Sequence, residues 1–364
     1  MIELLEDKEV SFLLEKALNK ERLTEEEAVF LYKNAPLSAL GYVANELNKE
    51  KNQDRAFFIV NRYLNPTNIC VYKCKFCSFG VSKSDERAFE LSIDEVLRKI
   101  ENSYKNGITE VHIVGGLPPH WEREDYVNMI KAVKEHFPDI VIKAYTAVEI
   151  DHIAKISKST YEDVLLELKE AGLSLLPGGG AEIFADRVRN IIAPNKANAE
   201  EYLEIHETAH RLGIPSNVTM LYGHIETIEE RVDHMKRIRD LQDKTGGFQV
   251  FIPLAYHPKG TALGGDRTSS VDDLKTIAMS RIFLDNFDNI KAYWITLGEK
   301  LAQIALNFGA NDIDGTLEEE LVVHAAGSTE TYGKTIDKLV SIIKGASKIP
   351  VQRDSFYNII KVYN

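Results

Sequence analysis

The run Phe57-Phe-Ile-Val-Asn-Arg-Tyr-Leu64, followed by Asn65-Pro-Thr-Asn-Ile-Cys70-Val-Tyr-Lys-Cys74-Lys-Phe-Cys77, decides how the chain is read. Five of the first eight residues are β-branched or aromatic, a strand by composition. The segment after them carries all three cysteines of the 364-residue chain. Their C-x3-C-x2-C spacing brings three thiolates to one metal centre and supplies no fourth. A [4Fe–4S] cluster held by protein alone takes four cysteines. Three leave one iron open to a small molecule, as an open position distinguishes catalytic metal sites from closed structural ones. A Cys3His zinc site lacks a nearby histidine, the closest being His112. A disulfide framework is disfavoured by the odd count and by an acidic N-terminus that is not a secretory signal. Inert buried cysteines occur singly, not three at ligand spacing.

Working outward, the strand, loop and helix pattern repeats. Further β-rich runs are Glu110–Val114, Ile140–Thr146, Leu173–Leu176, Ser216–Leu221 and Phe248–Ile252, with Ile290–Ile295 as a possible addition. Between them lie helices opened by capping boxes at Ser92–Glu95, Ser159–Glu162 and Thr227–Glu230. Alternating strands and helices imply parallel strands with right-handed crossovers, hence an α/β barrel or an open partial barrel. Residues 1–55 read as a helical N-terminal extension, with a charged loop from Asn48 to Arg55. Residues 56–364 read as the barrel with C-terminal elements.

In such folds chemistry gathers at the C-terminal ends of the strands. The unusual residues are there: the cysteine loop, Gly115-Gly116, Thr146, Pro177-Gly-Gly-Gly-Ala-Glu182, Met220-Leu-Tyr-Gly-His224 and Pro253-Leu-Ala-Tyr-His257. A ligand chelating the open iron through an amino acid's nitrogen and carboxylate needs close backbone approach, which Gly115 and Gly116 allow. A ribose diol needs an acceptor such as Glu182, and a carboxylate needs a cation such as Arg189. An adenine needs an apolar slot, for which Phe76 and the Phe251-Ile252-Pro253 edge are candidates. Each residue also has an ordinary reading as turn, cap or core. Their shared rim is what speaks for function.

The formal net charge of −12 disfavours nucleic acid as a partner. No apolar run approaches the length of a membrane span. A reducing cytoplasmic location is expected.

These motifs resemble the radical S-adenosylmethionine superfamily, whose signature is this cysteine loop with an aromatic, here Phe76, before the last cysteine. The glycine pair resembles its methionine-binding motif, with Leu117 where many members have glutamate. Within the superfamily, Leu176-Pro-Gly-Gly-Gly-Ala-Glu-Ile183, Met220-Leu-Tyr-Gly-His-Ile-Glu226 and Pro350-Val-Gln-Arg-Asp354 resemble the group that makes menaquinone through futalosine. Ile113-Val-Gly-Gly-Leu-Pro118, Lys143-Ala-Tyr-Thr-Ala-Val-Glu149 and Phe251-Ile-Pro-Leu-Ala-Tyr-His-Pro258 are most similar to the aminofutalosine synthases. Pro118 stands where that family has a histidine.

The resemblance implies a [4Fe–4S] cluster on Cys70, Cys74 and Cys77 and S-adenosylmethionine as a consumed co-substrate. Phe76, Gly115, Gly116, Thr146, Glu182, Arg189 and Ile252 would contact it. Reduction by a donor such as flavodoxin or ferredoxin would release a 5′-deoxyadenosyl radical. That radical would add to the enol ether of 3-[(1-carboxyvinyl)oxy]benzoate. The adduct would rearrange on the aromatic ring and lose a carboxyl group, giving 6-amino-6-deoxyfutalosine. Asn65, Thr67, His257 and Arg267 are the expected substrate contacts, and His224 the expected proton donor or acceptor. The competing readings are a cyclase acting on dehypoxanthine futalosine, a deazaflavin-forming relative, and a non-catalytic iron–sulfur or zinc protein.

Overall fold

A computed structural model describes Ile2 and residues 5–364. Three helices come first: α1 (Lys8–Leu18), α2 (Glu25–Asn34) and α3 (Leu37–Asn52). Then β1 (Arg55–Ile59), β2 (Asn61–Leu64), α4 (Ile93–Tyr104), β3 (Glu110–Ile113), α5 (Arg123–His136) and β4 (Val141–Ala144) follow. Next are α6 (Ala147–Ser157), α7 (Tyr161–Ala171), β5 (Leu173–Leu175), α8 (Asp186–Ile192), α9 (Ala199–Arg211) and β6 (Ser216–Tyr222). The chain continues with α10 (Ile228–Thr245), β7 (Phe248–Ala255), α11 (Ser270–Phe283), α12 (Trp294–Leu297), α13 (Glu299–Ala305) and β8 (Asp312–Gly315). It ends with α14 (Val322–Ala325), α15 (Ile336–Gly345), β9 (Ile349–Arg353) and β10 (Ile359–Val362).

The strands form a parallel circuit. β2, β3, β4 and β5 are successive neighbours, and β6 pairs with β7. Isolated parallel bridges fill the gaps: Leu176 to Ser216, Phe251 to Ile290, Lys291 to Asp312, and Arg62 to Glu318. The result is a TIM-like barrel, with β1 and β9 continuing outward from β8 and β10 antiparallel at the edge. The N-terminal helices contribute to the same apolar core as the barrel, through residues such as Leu14, Leu31 and Leu40.

Local chemistry explains most element starts. Thr24, Ser92 and Thr227 close capping boxes with Glu27, Glu95 and Glu230, each contributing about 1 kcal/mol. The box at α7 is formed by Thr160 and Asp163, one residue later than the Ser159 cap expected from sequence.

Three other expectations change. The run Phe57–Leu64 is two strands, broken at Val60, because its halves pair with different neighbours. At the break Asn61 is buried. Its backbone N–H donates to Thr316 Oγ1, and its Oδ1 accepts from Leu317 N–H. Residues 48–52 extend α3, because Asn48 donates to Ala310 O and Asn52 to Asp288 O. Finally, only Ile290 and Lys291 of the Ile290–Ile295 run pair as strand. Trp294 turns the chain into α12, its indole N–H donating to Gly315 O at 3.0 Å.

Candidate active site

One cavity of about 320 Å³ opens at the C-terminal ends of the strands and descends into the barrel. Cys70, Cys74 and Cys77 line its upper wall together with Phe76 and Phe79. The cysteine loop is tied down from several sides. Val71 N–H donates to Leu117 O, Lys75 N–H to Ile192 O, and Leu263 N–H to Lys75 O. Gly116 explains the glycine pair. A Cβ there would lie 2.2 Å from Ile69 O, so the turn after β3 can cross the cysteine loop only without a side chain. Gly116 N–H also donates to Thr67 O at 2.8 Å.

The loop suits a [4Fe–4S] cluster by donor set and placement. Three thiols share one cavity wall, and a Cβ built on Gly80 would sit 3.9 Å from the sulfurs of both Cys70 and Cys77. Among the described residues, no three Cys, His, Asp or Glu side chains are already drawn to metal-ligating distance. Burial pushes the Cys74 thiol up to about 11, with Lys196 pulling the other way. A thiol that buried needs a cation to become a ligating thiolate.

The opposite rim is built by the glycine-rich loop after β5. Gly178 passes so close to β6 that a Cβ would lie 2.7 Å from the backbone of Val218. The loop presents Glu182 to the cavity, paired with the buried Lys196 at 2.6 Å. Burial opposes the charge of Lys196, but Glu182 and the cysteine thiols outweigh it and raise its pKa. Its ammonium also lies 4.8 Å from the centre of the Phe76 ring. Thr146 caps α6 and lines the cavity beside Glu149. Glu149 is buried and accepts from Thr146 N–H and Gly115 N–H. Burial raises its pKa to about 7, against those hydrogen bonds. Ile252 lies on the apolar wall.

Of the residues singled out from sequence, the cavity gathers the three cysteines, Phe76, Gly115, Gly116, Thr146, Glu182, Ile252 and His257. It does not gather the others. Arg189 is buried with its guanidinium donating to Gly180 O, Ala181 O, Ile183 O and Ala197 O. It holds the shape of the glycine-rich loop from behind, with four of its five N–H donors spent on backbone carbonyls.

His224 has a buried side chain, with Nε2 donating to Leu221 O at 3.0 Å and Nδ1 accepting from Ile225 N–H at 2.7 Å. Burial lowers its pKa although Glu226 beside it pulls upward. Both nitrogens are committed to the turn, and the side chain does not line the cavity. Asn65 donates to Val114 O and accepts from Leu321 N–H, while Thr67 donates to Phe89 O and accepts from Ile69 N–H. Both brace loops. Arg267 is exposed and donates to Thr296 O, next to His257, whose Nε2–H donates to the same oxygen at 2.9 Å.

Sequence reasoning missed the floor. Tyr63, His112 and Lys143 are register partners across β2, β3 and β4, and all three line the cavity. Lys291 and Asp314 face them and are paired at 3.0 Å. Lys143 pairs with Glu110 at 2.6 Å in the layer beneath. The available signal was a charged residue at the centre of a short parallel strand, Val-Ile-Lys143-Ala, where both faces are normally apolar.

Comparison with known proteins defines the class. Residues 64–238 match the radical SAM superfamily, and residues 245–364 match the CofH/MqnC C-terminal region. The chain therefore belongs to the radical SAM superfamily and is an enzyme of that kind, with a [4Fe–4S] cluster and S-adenosylmethionine as its cofactors. This removes the reading as a non-catalytic metal protein.

Among particular relatives, it is 46% identical to the aminodeoxyfutalosine synthase of Thermus thermophilus, over 97% of this chain and 96% of that one. It is 41% identical to a 5-amino-6-(D-ribitylamino)uracil–L-tyrosine 4-hydroxyphenyl transferase of Archaeoglobus fulgidus, over 87% of this chain and 92% of that one. In fold it matches the crystal structure of methylornithine synthase (PylB). The TM-score is 0.75 at 18% identity, over 93% of this chain and 97% of that one. No helix among the described residues is long and apolar enough to cross a membrane.

Proposed function

We propose that this enzyme joins the 5′-deoxyadenosyl group of S-adenosylmethionine to 3-[(1-carboxyvinyl)oxy]benzoate, forming 6-amino-6-deoxyfutalosine for menaquinone biosynthesis in the cytoplasm. The observation that carries the reading is the 46% identity to an aminodeoxyfutalosine synthase along nearly the whole of both chains. The cavity's chemistry supports it. A substrate with two carboxylates and an aromatic ring needs cations set in an apolar chamber, and Lys196, Lys143 and Lys291 stand among Phe76, Ile252 and Leu254.

The cluster, when bound and reduced by a flavodoxin or ferredoxin, supplies the electron that cleaves S-adenosylmethionine. The rest falls to the chain. Cys70, Cys74 and Cys77 hold the cluster at the rim. Glu182, Thr146 and the Gly115–Gly116 backbone offer polar contacts to the co-substrate there. The walls exclude water, and the chamber keeps the two reacting carbons near contact, about 3–3.5 Å apart, so that addition outruns stray hydrogen abstraction.

The Archaeoglobus relative gives a second reading, a transferase acting on tyrosine and a ribitylaminouracil. Anaerobic reconstitution, dithionite and S-adenosylmethionine, with each substrate set in turn, separates the two. Mass spectrometry is expected to find 6-amino-6-deoxyfutalosine from the enolpyruvyl benzoate. A product only from tyrosine and the uracil, or one formed by hydrogen abstraction from dehypoxanthine futalosine, would replace the proposal.

A further inference from the structure

The cavity has two levels, a rim and a floor, and the lysines of the floor differ in how they are paired. Gly115 lies three residues beyond His112, and Thr146 three residues beyond Lys143, on adjacent parallel strands. At about 3.3 Å per residue the floor is roughly 10 Å below the rim.

The floor has the chemistry of an anion seat. Lys143 is 4% exposed and its ammonium has three donors, yet its one ion-pair partner is Glu110, set a layer deeper in register with Asn61. Burial lowers the pKa of Lys143 while Glu110 holds it up. His112 is buried beside it, and its Nδ1 has no partner. Tyr63 packs on the His112 ring at a centroid distance of 4.1 Å, giving a flat aromatic face next to the two polar heads.

Across the floor, Lys291 is already claimed by Asp314 at 3.0 Å and by Asp312 at 3.8 Å, and Arg353 by Asp312 at 2.6 Å. Those cations are neutralised where they stand. Lys143 is the one whose counter-ion lies behind it, away from the opening. A buried ammonium with unspent donors and an unpartnered imidazole are costly to maintain for folding alone.

We propose that Lys143, with His112 and Tyr63, forms a subsite for an aryl carboxylate, seating the ring end of the substrate at the barrel floor. This rests on the reading of the substrate as an enolpyruvyl benzoate, and it assigns that molecule's two carboxylates to different fates. The benzoate carboxylate, retained in the product, is gripped at the bottom. The enol ether, at the other end of the molecule, is held up at the rim where the deoxyadenosyl carbon arrives. The enolpyruvyl carboxylate, which leaves, stays clear of the Lys143 seat.

The test is calorimetric titration of the reconstituted holoenzyme with 3-hydroxybenzoate and with 3-hydroxybenzamide, which differ only in the carboxylate. The wild-type protein is expected to bind the acid at least about tenfold more tightly than the amide. Lys143→Met is expected to bind the two alike, and to raise KM for the enolpyruvyl benzoate more than it lowers kcat. Because that variant strands Glu110, Glu110→Gln/Lys143→Met is made beside it, removing both charges of the pair.

Equal binding of acid and amide by the wild-type protein, or an acid preference that survives in the double variant, overturns the subsite. These outcomes separate it from the functional proposal. If the acid preference is present and lost on mutation but no aminodeoxyfutalosine forms, the seat stands and the assigned reaction fails. If product forms while the preference survives, the reaction stands and the seat fails.

Discussion

Arg189 shows how a correct residue type at the right rim can still serve the scaffold. Three carbonyls at the glycine-rich loop, those of Gly180, Ala181 and Ile183, and the carbonyl of Ala197 before α9 converge on its guanidinium. Lys196, seven residues on, reaches the cavity in its place. Arg189→Met would leave those carbonyls without donors in a dry interior. The expected result is a loss of about 3 kcal/mol in stability, read as a lower urea midpoint, together with weaker holding of Glu182. If Arg189 bound the co-substrate carboxylate instead, the variant would raise KM for S-adenosylmethionine and leave the midpoint where it was.

The same distinction explains what was legible in the chain. Cysteines, glycines and their spacing report backbone demands and ligand count, and these survive in a one-dimensional reading. The direction in which Arg189, His224 or Thr67 points is set by which backbone groups the folded loops turn toward it, and spacing carries no trace of it.

At the scale of elements, the seam at Val60 matters most. Gly315 must approach Ile59 so closely that a Cβ would lie 2.3 Å from its carbonyl oxygen. Asn61 then stitches β2 to the segment after β8 through Leu317 N–H and Thr316 Oγ1, and its Nδ2 reaches Glu110 at 3.4 Å. Asn61→Ala is expected to cost about 2 kcal/mol by stranding the buried backbone N–H of Leu317. Hydrogen exchange would show the loss as faster exchange at Leu317 and along β2, with β6 and β7 unaffected. Uniform acceleration over all strands would mean that the seam is not a separable joint.

The run Phe57–Leu64 conceals this break because no glycine or proline separates its halves. By contrast, the cap boxes of α2, α4 and α10 were readable, since a cap is a local contact between residues three apart. The cavity floor fell between these cases. His112 alternates with Val111 and Ile113, as an ordinary half-buried strand would, and only the register of β3 on β4 sets it beside Lys143.

Over the whole molecule, buried histidines on β3, α9 and α10 carry an acid sensitivity that the formal net charge of −12 does not describe. Burial holds His112 and His206 well below the ordinary histidine value, lowers His210 to about 4 and His234 to about 3. Each is neutral when folded and takes a proton near pH 6.5 when unfolded. Between those values the unfolded chain binds more protons, so this stability is present above pH 6.5 and is lost as pH falls. Glu149, raised to about 7, has the opposite sign, because its folded form keeps a proton that the unfolded carboxylate releases above about 4.5. It therefore lowers stability as pH rises from about 4.5 to 7, and offsets part of the histidine effect.

The net curve mixes these contributions, and a single substitution separates them. His234 lies against Phe184 at 4.0 Å and donates to Thr219 O at 3.0 Å. His234→Phe keeps the ring contact, gives up one hydrogen bond at every pH, and cannot titrate. Between pH 7 and pH 5 the wild-type chain is expected to lose about 2 kcal/mol more unfolding free energy than the variant, from 1.5 units at about 1.4 kcal/mol each. Urea unfolding at the two pH values measures it. Parallel losses in both proteins would mean that His234 takes up its proton over the same pH range folded as unfolded.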